Sequence, residues 1–188
     1  RNIAILLLAA GSSSRMEGRD KLLEEIDGTP LLTRICTQAC ETDLPVYVTL
    51  PSIEHPRAAF CPGATLVPVA DAAEGMAASI RTGVAALPED CDAVMILPSD
   101  MPELETSDLL VLADAPVKEE NLILRACAQD GTPGHPVLFP RACFEDLTQL
   151  SGDQGARAVL KRHPVRLVAL SAQRALIDLD TPEAWAGW

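Results

Sequence analysis

Ile3-Ala4-Ile5-Leu6-Leu7-Leu8 is apolar at every position, so a strand built from it has two faces that both need cover, whichever way it pleats. Ala93-Val94-Met95-Ile96-Leu97 is a second run of the same kind. Strands like these sit at the centre of a parallel sheet with helices on both faces. The intervening sequence supplies such helices. Over residues 30–41, Leu31, Leu32, Ile35 and Ala39 fall on one helical face. The β-then-α order recurs as 46–50, as 65–69 followed by 75–87, and as 93–97 followed by 107–113, with Thr106 or Ser107 as helix cap. The last third is less regular: 121–127, 135–139, 165–170 and 176–179 read as strands, and 141–150 and 155–162 as helices. Residues 181–188 read as a final helix with Pro182 in its first turn. The expected fold class is α/β, a three-layer α/β/α sandwich around a mostly parallel sheet. No linker or repeat interrupts the pattern, so the expectation is a single domain, residues 1–188.

Charge narrows the partners. Lys and Arg number 15 against 27 Asp and Glu, a formal net charge of −12 at pH 7, which repels a polyphosphate backbone and argues against nucleic acid as partner. The apolar stretch 3–10 falls short of the ~20 residues of a membrane span, and no lysine-rich region precedes it as in a signal peptide. The expectation is a cytoplasmic protein with no membrane partner. Cys36, Cys40, Cys61, Cys91, Cys127 and Cys143 form no CxxC pair and read as reduced thiols in apolar surroundings.

In an open α/β sheet the ligand lies outside the carboxyl ends of the strands, so the segments that follow the strands carry the candidate chemistry. After the first strand come Leu8, Ala9, Ala10, Gly11, Ser12, Ser13 and Ser14, then Arg15 and Lys21. Small residues let backbone N–H groups approach an anion, the serines add donors and the two cations add charge. The spacing matches neither a Walker A loop nor the dinucleotide GxGxxG pattern. After residues 93–97 comes Pro98-Ser99-Asp100-Met101-Pro102. A carboxylate there is expensive to bury unless it meets a cation, and Mg²⁺ held by one or two carboxylates plus substrate phosphates satisfies that need. Asp100 is the first metal ligand expected. Asp180 or Asp178 supplies the second carboxylate, unless Asp180 only caps the last helix. Gly75, Met76 and Ser79 open a helix whose N-terminus either faces a nucleotide or merely packs. His135 stands beside a proline, as a packed turn residue or as part of the site. Asp153 and Arg157, four residues apart, form either an anion site or an ion pair. No GxSxG elbow, HExxH or Cys with a placed His is present, so nucleophilic and zinc chemistry have little support.

Taken in order, LLAAGSSSRM with Lys21, EGMAASIRTGV, LPSDMP, GTPGHPVLFP, SGDQGARAVL and IDLDTPEAW resemble the MobA-like nucleotidyltransferases, and among them the molybdenum cofactor cytidylyltransferases. The resemblance covers essentially the whole chain. It implies a GT-A/Rossmann-like nucleotide-binding fold and Mg²⁺-dependent attack by the terminal phosphate of molybdopterin on the α-phosphorus of CTP, with pyrophosphate released. It implies that Leu8 to Ser13, Arg15, Lys21, Gly75, Met76, Ser79, Ser99 and Asp100 border the nucleotide. Arg15, Lys21 and Asp100 are then the catalytic groups, and Asp100 with Asp180, or Asp178, holds Mg²⁺ or Mn²⁺. His135, Asp153 and Arg157 fall on the acceptor side. A molybdenum hydroxylase of the xanthine dehydrogenase type is the implied recipient of the finished cofactor. Glu17, inserted before Gly18, lengthens the first loop by about one residue relative to the family pattern and adds negative charge; Ser99 and Ala184 are milder departures. Ala9-Ala10-Gly11, where guanylyl relatives carry Ala-Gly-Gly, tilts the base choice toward cytosine. The alternatives are a guanylyltransferase, a transferase for another phosphorylated small molecule, and a non-catalytic carrier of the cofactor.

Overall fold

The computed structural model describes residues 1–11, 20–152 and 155–176. The strands are β1 Ile3–Leu8, β2 Glu25–Ile26, β3 Thr29–Pro30, β4 Val46–Leu50, β5 Thr65–Pro68, β6 Ala93–Pro98, β7 Ile123–Cys127, β8 Pro133–Pro140 and β9 Val165–Ala169. The helices are α1 Leu31–Cys40, α2 Met76–Ala85, α3 Thr106–Ala113, α4 Phe144–Thr148 and α5 Arg157–Arg162. Seven strands form one sheet in the order β5-β4-β1-β6-β8-β7-β9. Within it, β8 runs antiparallel to both of its neighbours and the other pairings are parallel.

The apolar run of β1 lies between β4 and β6, and all six of its residues are buried. Ile3, Ile5 and Leu7 pack with Leu32, Ile35 and Cys36 of α1 and Leu109 and Leu112 of α3 on one face. Leu6 and Leu8 pack with Ala77, Ile80 and Val84 of α2 and with Leu147 and Val159 of α4 and α5 on the other. Burial of each such Leu or Ile is worth about 1.5–3 kcal/mol, and a central strand collects that gain on both faces. This is the three-layer α/β/α arrangement expected from the sequence. Helix α2 approaches β1 closely at Gly83, where a Cβ would stand 2.5 Å from a Leu6 methyl carbon.

Two local expectations are corrected. Glu105, not Thr106 or Ser107, precedes the first residue of α3, and its N–H donates to the Asp108 carboxylate at 2.9 Å. The Thr106 hydroxyl instead donates to the Gln38 carbonyl at 2.8 Å and ties α3 to α1. Residues 141–150 divide into a 3-10 turn over Arg141–Cys143 and the short α4. The small hairpin β2–β3 escaped the pattern analysis, although Asp27 and Gly28 at φ 53° and 83° are the residues a tight primed turn calls for. The strand expected at 176–179 and the helix at 181–188 lie outside the described residues, apart from Leu176 in a bend.

All six cysteines are free thiols, and no helix among the described residues is long and apolar enough to cross a membrane.

At Gly134, at the start of β8, a Cβ would lie 1.9 Å from the Ala175 carbonyl oxygen, a backbone atom with no room to yield. Gly131 has φ +87° and open space around it. Gly134→Ala is expected to cost about 3 kcal/mol from overpacking, against about 1 kcal/mol of left-handed strain for Gly131→Ala. Urea unfolding of the two variants measures the difference, and equal losses would contradict the close approach.

Candidate active site at the carboxyl end of the sheet

Chain connections leave β1 toward β4 and β5 on one side and leave β6 toward β8, β7 and β9 on the other. A crevice opens at such a reversal, between the carboxyl ends of the two strands. Leu8 of β1 and Pro98 of β6 are register partners, so the loops that follow them begin side by side. The buried Ser99 hydroxyl donates to the Leu8 carbonyl and fixes one loop to the other. Ala9 N–H donates to the Thr49 carbonyl at 3.0 Å and reaches Thr49 Oγ1 at 3.3 Å. The Ala10 methyl packs with Val69 and Ala78. Gly11 is exposed, and a Cβ there would meet nothing within 4 Å among the described residues.

Asp100, two residues past the carboxyl end of β6, is 9% exposed. Lys21 follows Asp20 into a 3-10 turn over Lys21–Leu23, and its Nζ stands 2.8 Å from Asp100 Oδ2. Two residues singled out 79 positions apart in sequence are thereby an ion pair at the carboxyl end of β6.

Arg57 escaped the sequence reading. It lies in a 3-10 turn over Pro56–Phe60 and is 3% exposed. Its Nη1 donates to the carbonyls of Ala9 and Gly11 at 2.7 Å each. Its Nε and Nη2 take the Asp20 carboxylate in a fork, at 2.7 and 3.1 Å. One guanidinium therefore grips both ends of the segment that carries Ser12, Ser13 and Arg15. Nothing local in sequence marks Arg57, because its partners lie 37 to 48 residues away. His55 Nδ1 accepts the Arg57 N–H at 3.1 Å, which gives that histidine a structural role.

The third segment is arranged differently from a free helix N-terminus. Gly75 takes φ 122°, ψ −162°, a region essentially restricted to glycine, and turns the chain into α2 with Met76 half-buried and Ser79 buried. Gly152 is fastened to this corner. Its carbonyl accepts Ala77 N–H at 3.3 Å and its N–H donates to Glu74 at 3.0 Å. Hydrogen bonds from Arg81, and then from Gly152, hold the Glu74 carboxyl down at about 2. Glu74 and Gly152, remote in sequence, meet at one corner.

His135 lies at the start of β8, 3% exposed, with its N–H donating to the Ala175 carbonyl at 2.7 Å. Burial, together with nearby Arg125, pushes its imidazole down to about 3, so it is neutral at physiological pH. Arg157, the first residue of α5, is exposed. Its expected companion Asp153 lies outside the described residues, as do Ser12, Ser13, Arg15, Asp178 and Asp180.

Asp100 supplies the hard oxygen donor that a divalent cation prefers. One carboxylate suffices where substrate phosphates complete the sphere. No group of three or more His, Cys, Asp or Glu among the described residues forms a metal cage.

Comparison with known proteins gives this geometry a context. Residues 5–167 match the family model of the MobA-like NTP transferase domain. A Nostoc protein named "Probable molybdenum cofactor guanylyltransferase" is 28% identical over 186 residues, covering 97% of this chain and 88% of its own. The molybdenum cofactor cytidylyltransferase of Escherichia coli is 28% identical over 184 residues, covering 96% and 92%. Among solved structures, Rv0371c from Mycobacterium tuberculosis superposes with a TM-score of 0.81 at 29% identity, covering 97% of this chain and 95% of that one. Its manganese complex superposes with a TM-score of 0.76 at 26% identity, covering 98% and 96%.

Two outcomes follow from the site geometry. A lysine at position 57 keeps one charge but cannot fork onto Asp20 while serving two carbonyls. Arg57→Lys should therefore cost about 3 kcal/mol in urea unfolding. The exposed Arg34, 3.9 Å from Asp27, should lose less than about 0.5 kcal/mol on the same change. For His135, the folded protein stays neutral while the unfolded chain takes a proton below its ordinary value of 6.5. Its contribution is whole above pH 6.5 and is lost as pH falls toward 3, at roughly 1 kcal/mol per pH unit. The stability of His135→Asn should fall less steeply than that of the wild type between pH 6.5 and 5; parallel profiles would contradict the buried neutral imidazole.

Proposed function

The chain belongs to the MobA-like NTP transferase family and is a nucleotidyltransferase, and from that premise we propose that it transfers CMP from CTP to the terminal phosphate of molybdopterin, releasing pyrophosphate. The observation that carries this reading is the Lys21–Asp100 pair, 2.8 Å apart in the crevice between β1 and β6, beside a loop whose ends are clamped by Arg57.

In the proposed reaction an oxygen of the acceptor's phosphate attacks the α-phosphorus. The new P–O bond forms as the bond to the bridging oxygen of the β-phosphate breaks, and pyrophosphate carries that electron pair away. A phosphate monoester is already an anionic nucleophile, so no side chain need remove a proton, and catalysis reduces to positioning and charge neutralisation. The Leu8 to Ser13 backbone, with Gly11 open to close approach, cradles the triphosphate. Arg15 and Lys21 offset the charge on its oxygens. Ser99 fixes the Asp100 loop against β1, and Gly75, Met76 and Ser79 border the nucleotide from α2. Asp100 would hold Mg²⁺, or Mn²⁺, with Asp180 or Asp178, and the cation would neutralise phosphate charge. His135, Asp153 and Arg157 face the acceptor. The finished cofactor would pass to a molybdenum hydroxylase of the xanthine dehydrogenase type.

Cytosine is favoured by Ala10. Its methyl lies in a small core with Val69 and Ala78, so alanine in place of the glycine of guanylyl relatives sets how tightly Ala10 packs on α2 and on the residue that follows β5. The Nostoc relative named for guanylyl transfer favours GTP as the second reading. The deciding measurement is pyrophosphate release from CTP, GTP, ATP and UTP with Mg²⁺ and molybdopterin. Release with CTP, lost on chelation of the metal and reduced roughly 100-fold or more in Asp100→Ala, is the expected result. Release with GTP alone would reassign the base, and binding without release from any nucleotide would replace transfer with a carrier role.

A further inference from the structure

Arg125 is a half-buried residue of β7 that no part of the mechanism above uses. Its register partner on β8 is Val137. Side chains alternate along a strand, so Arg125 shares the face of Ile123, which packs with Val137, Phe139, Leu147 and Val159 beneath α4 and α5. Arg125 Nε donates to the Gly134 carbonyl at 3.0 Å. β8 runs antiparallel to β7 and β6, so Gly134 belongs to the carboxyl-end edge of the sheet. That hydrogen bond draws the guanidinium along the strand toward the Asp100 edge and sideways toward β6. The same guanidinium lies close enough to His135 to disfavour its protonation.

Four cations packed into the fold find acids: Arg57 meets Asp20, Lys21 meets Asp100, Arg81 meets Glu74 and Arg174 meets Asp108; Arg166, half-buried on the edge strand β9, donates to the Pro116 carbonyl at 2.8 Å. Arg125 meets a carbonyl only, and its two terminal nitrogens make no hydrogen bond to a described residue. Carboxylates are not scarce in a chain with 27 Asp and Glu against 15 Lys and Arg. Burial alone disfavours the charged guanidinium, and a charge placed in such surroundings calls for a counter-ion.

We propose that Arg125 is a specificity-determining residue that grips the phosphate of the acceptor substrate, its planar fork taking two phosphate oxygens while Nε stays on the Gly134 carbonyl. The assignment deepens the proposed transfer reaction and rests on it. It separates two anion sites along the strand ends: the β1 loop with Lys21 for the nucleotide, and Arg125 at the β8 side for the acceptor. β7 stands two strand spacings from β6, roughly 10 Å. A guanidinium leaning over β8 covers part of that distance and so faces the nucleophile rather than the departing pyrophosphate.

The test is a binding cycle read without turnover. Molybdopterin and its dephosphorylated form are titrated calorimetrically into the wild type, Arg125→Gln and Arg125→Lys, with thermal unfolding checking that each variant is folded. Arg125→Gln should weaken the phosphorylated acceptor roughly 10- to 100-fold and leave the dephosphorylated form and CTP unchanged, with Arg125→Lys recovering part of the loss. In turnover the same variant should raise the acceptor KM while the CTP KM holds. Equal weakening of both acceptor forms, or none, would overturn the proposal while the transfer reaction stands. A wild type that binds CTP but neither acceptor form, and releases no pyrophosphate, would overturn the reading of the acceptor and this assignment with it.

Discussion

Arg57 holds together what the rest of the site depends on. A loop built to receive an anion must present N–H groups outward while its carbonyls face elsewhere, and buried carbonyls need donors. The guanidinium supplies them at Ala9 and Gly11 and returns to Asp20 with its remaining edge. Gly11 and Asp20, which flank the intervening segment, are thus fixed to one rigid plane. Lys21, next to Asp20, inherits that placement and reaches Asp100. Breaking a buried pair of this kind costs several kcal/mol, comparable to the whole stability margin of many domains. The clamp is therefore as much a part of the fold as of the site.

The sheet explains why the clamp stands where it does. An apolar β1 buried on both faces can occupy only an interior position, and chain reversal around it opens the crevice between β1 and β6. Thr49 at the end of β4 and Ser99 after β6 then fasten the exit of β1 from both sides. These contacts are backbone-directed, so they define the path of the loop whatever side chains it carries.

Much of this was legible in the sequence, for reasons that differ by residue. The runs 3–8 and 93–97 announce buried parallel strands because apolarity at consecutive positions over so short a run has few other solutions. Asp100 and Lys21 were legible as charges after strands, though not as partners, since pairing across 79 residues is set by topology. Arg57 was not legible at all: its neighbours Pro56 and Ala58 describe a turn, and its acceptors are remote carbonyls. Arg125 was hidden by the opposite cause, lying inside a strand-like run where an isolated cation reads as solvent-facing. The Asp27-Gly28 turn was legible and passed over, because two flanking strands of two residues each are too short to show alternation. Gly152 and Glu74 lie in motifs recognised separately, and only the fold joins them.

A net charge of −12 opposes a polyanionic substrate at long range, yet distance resolves the conflict. At physiological ionic strength charges are screened beyond about 8 Å, so the acidic surface as a whole weighs less than the few groups within the crevice. There the decisive feature is that Lys21 and Asp100 neutralise each other before any ligand arrives. On the proposed reaction, a triphosphate bound with a divalent cation would give each charge a new partner: phosphate oxygens for the Lys21 ammonium and the cation for the Asp100 carboxylate. The exchange replaces one ion pair by two without leaving a buried charge alone at either end. A lysine held apart from the aspartate would bind phosphate with a larger nominal gain, but it would leave Asp100, 9% exposed, to bear an unpaired charge in the resting protein. On that reading, pairing the two is how an acidic chain keeps a cation ready where the triphosphate would bind.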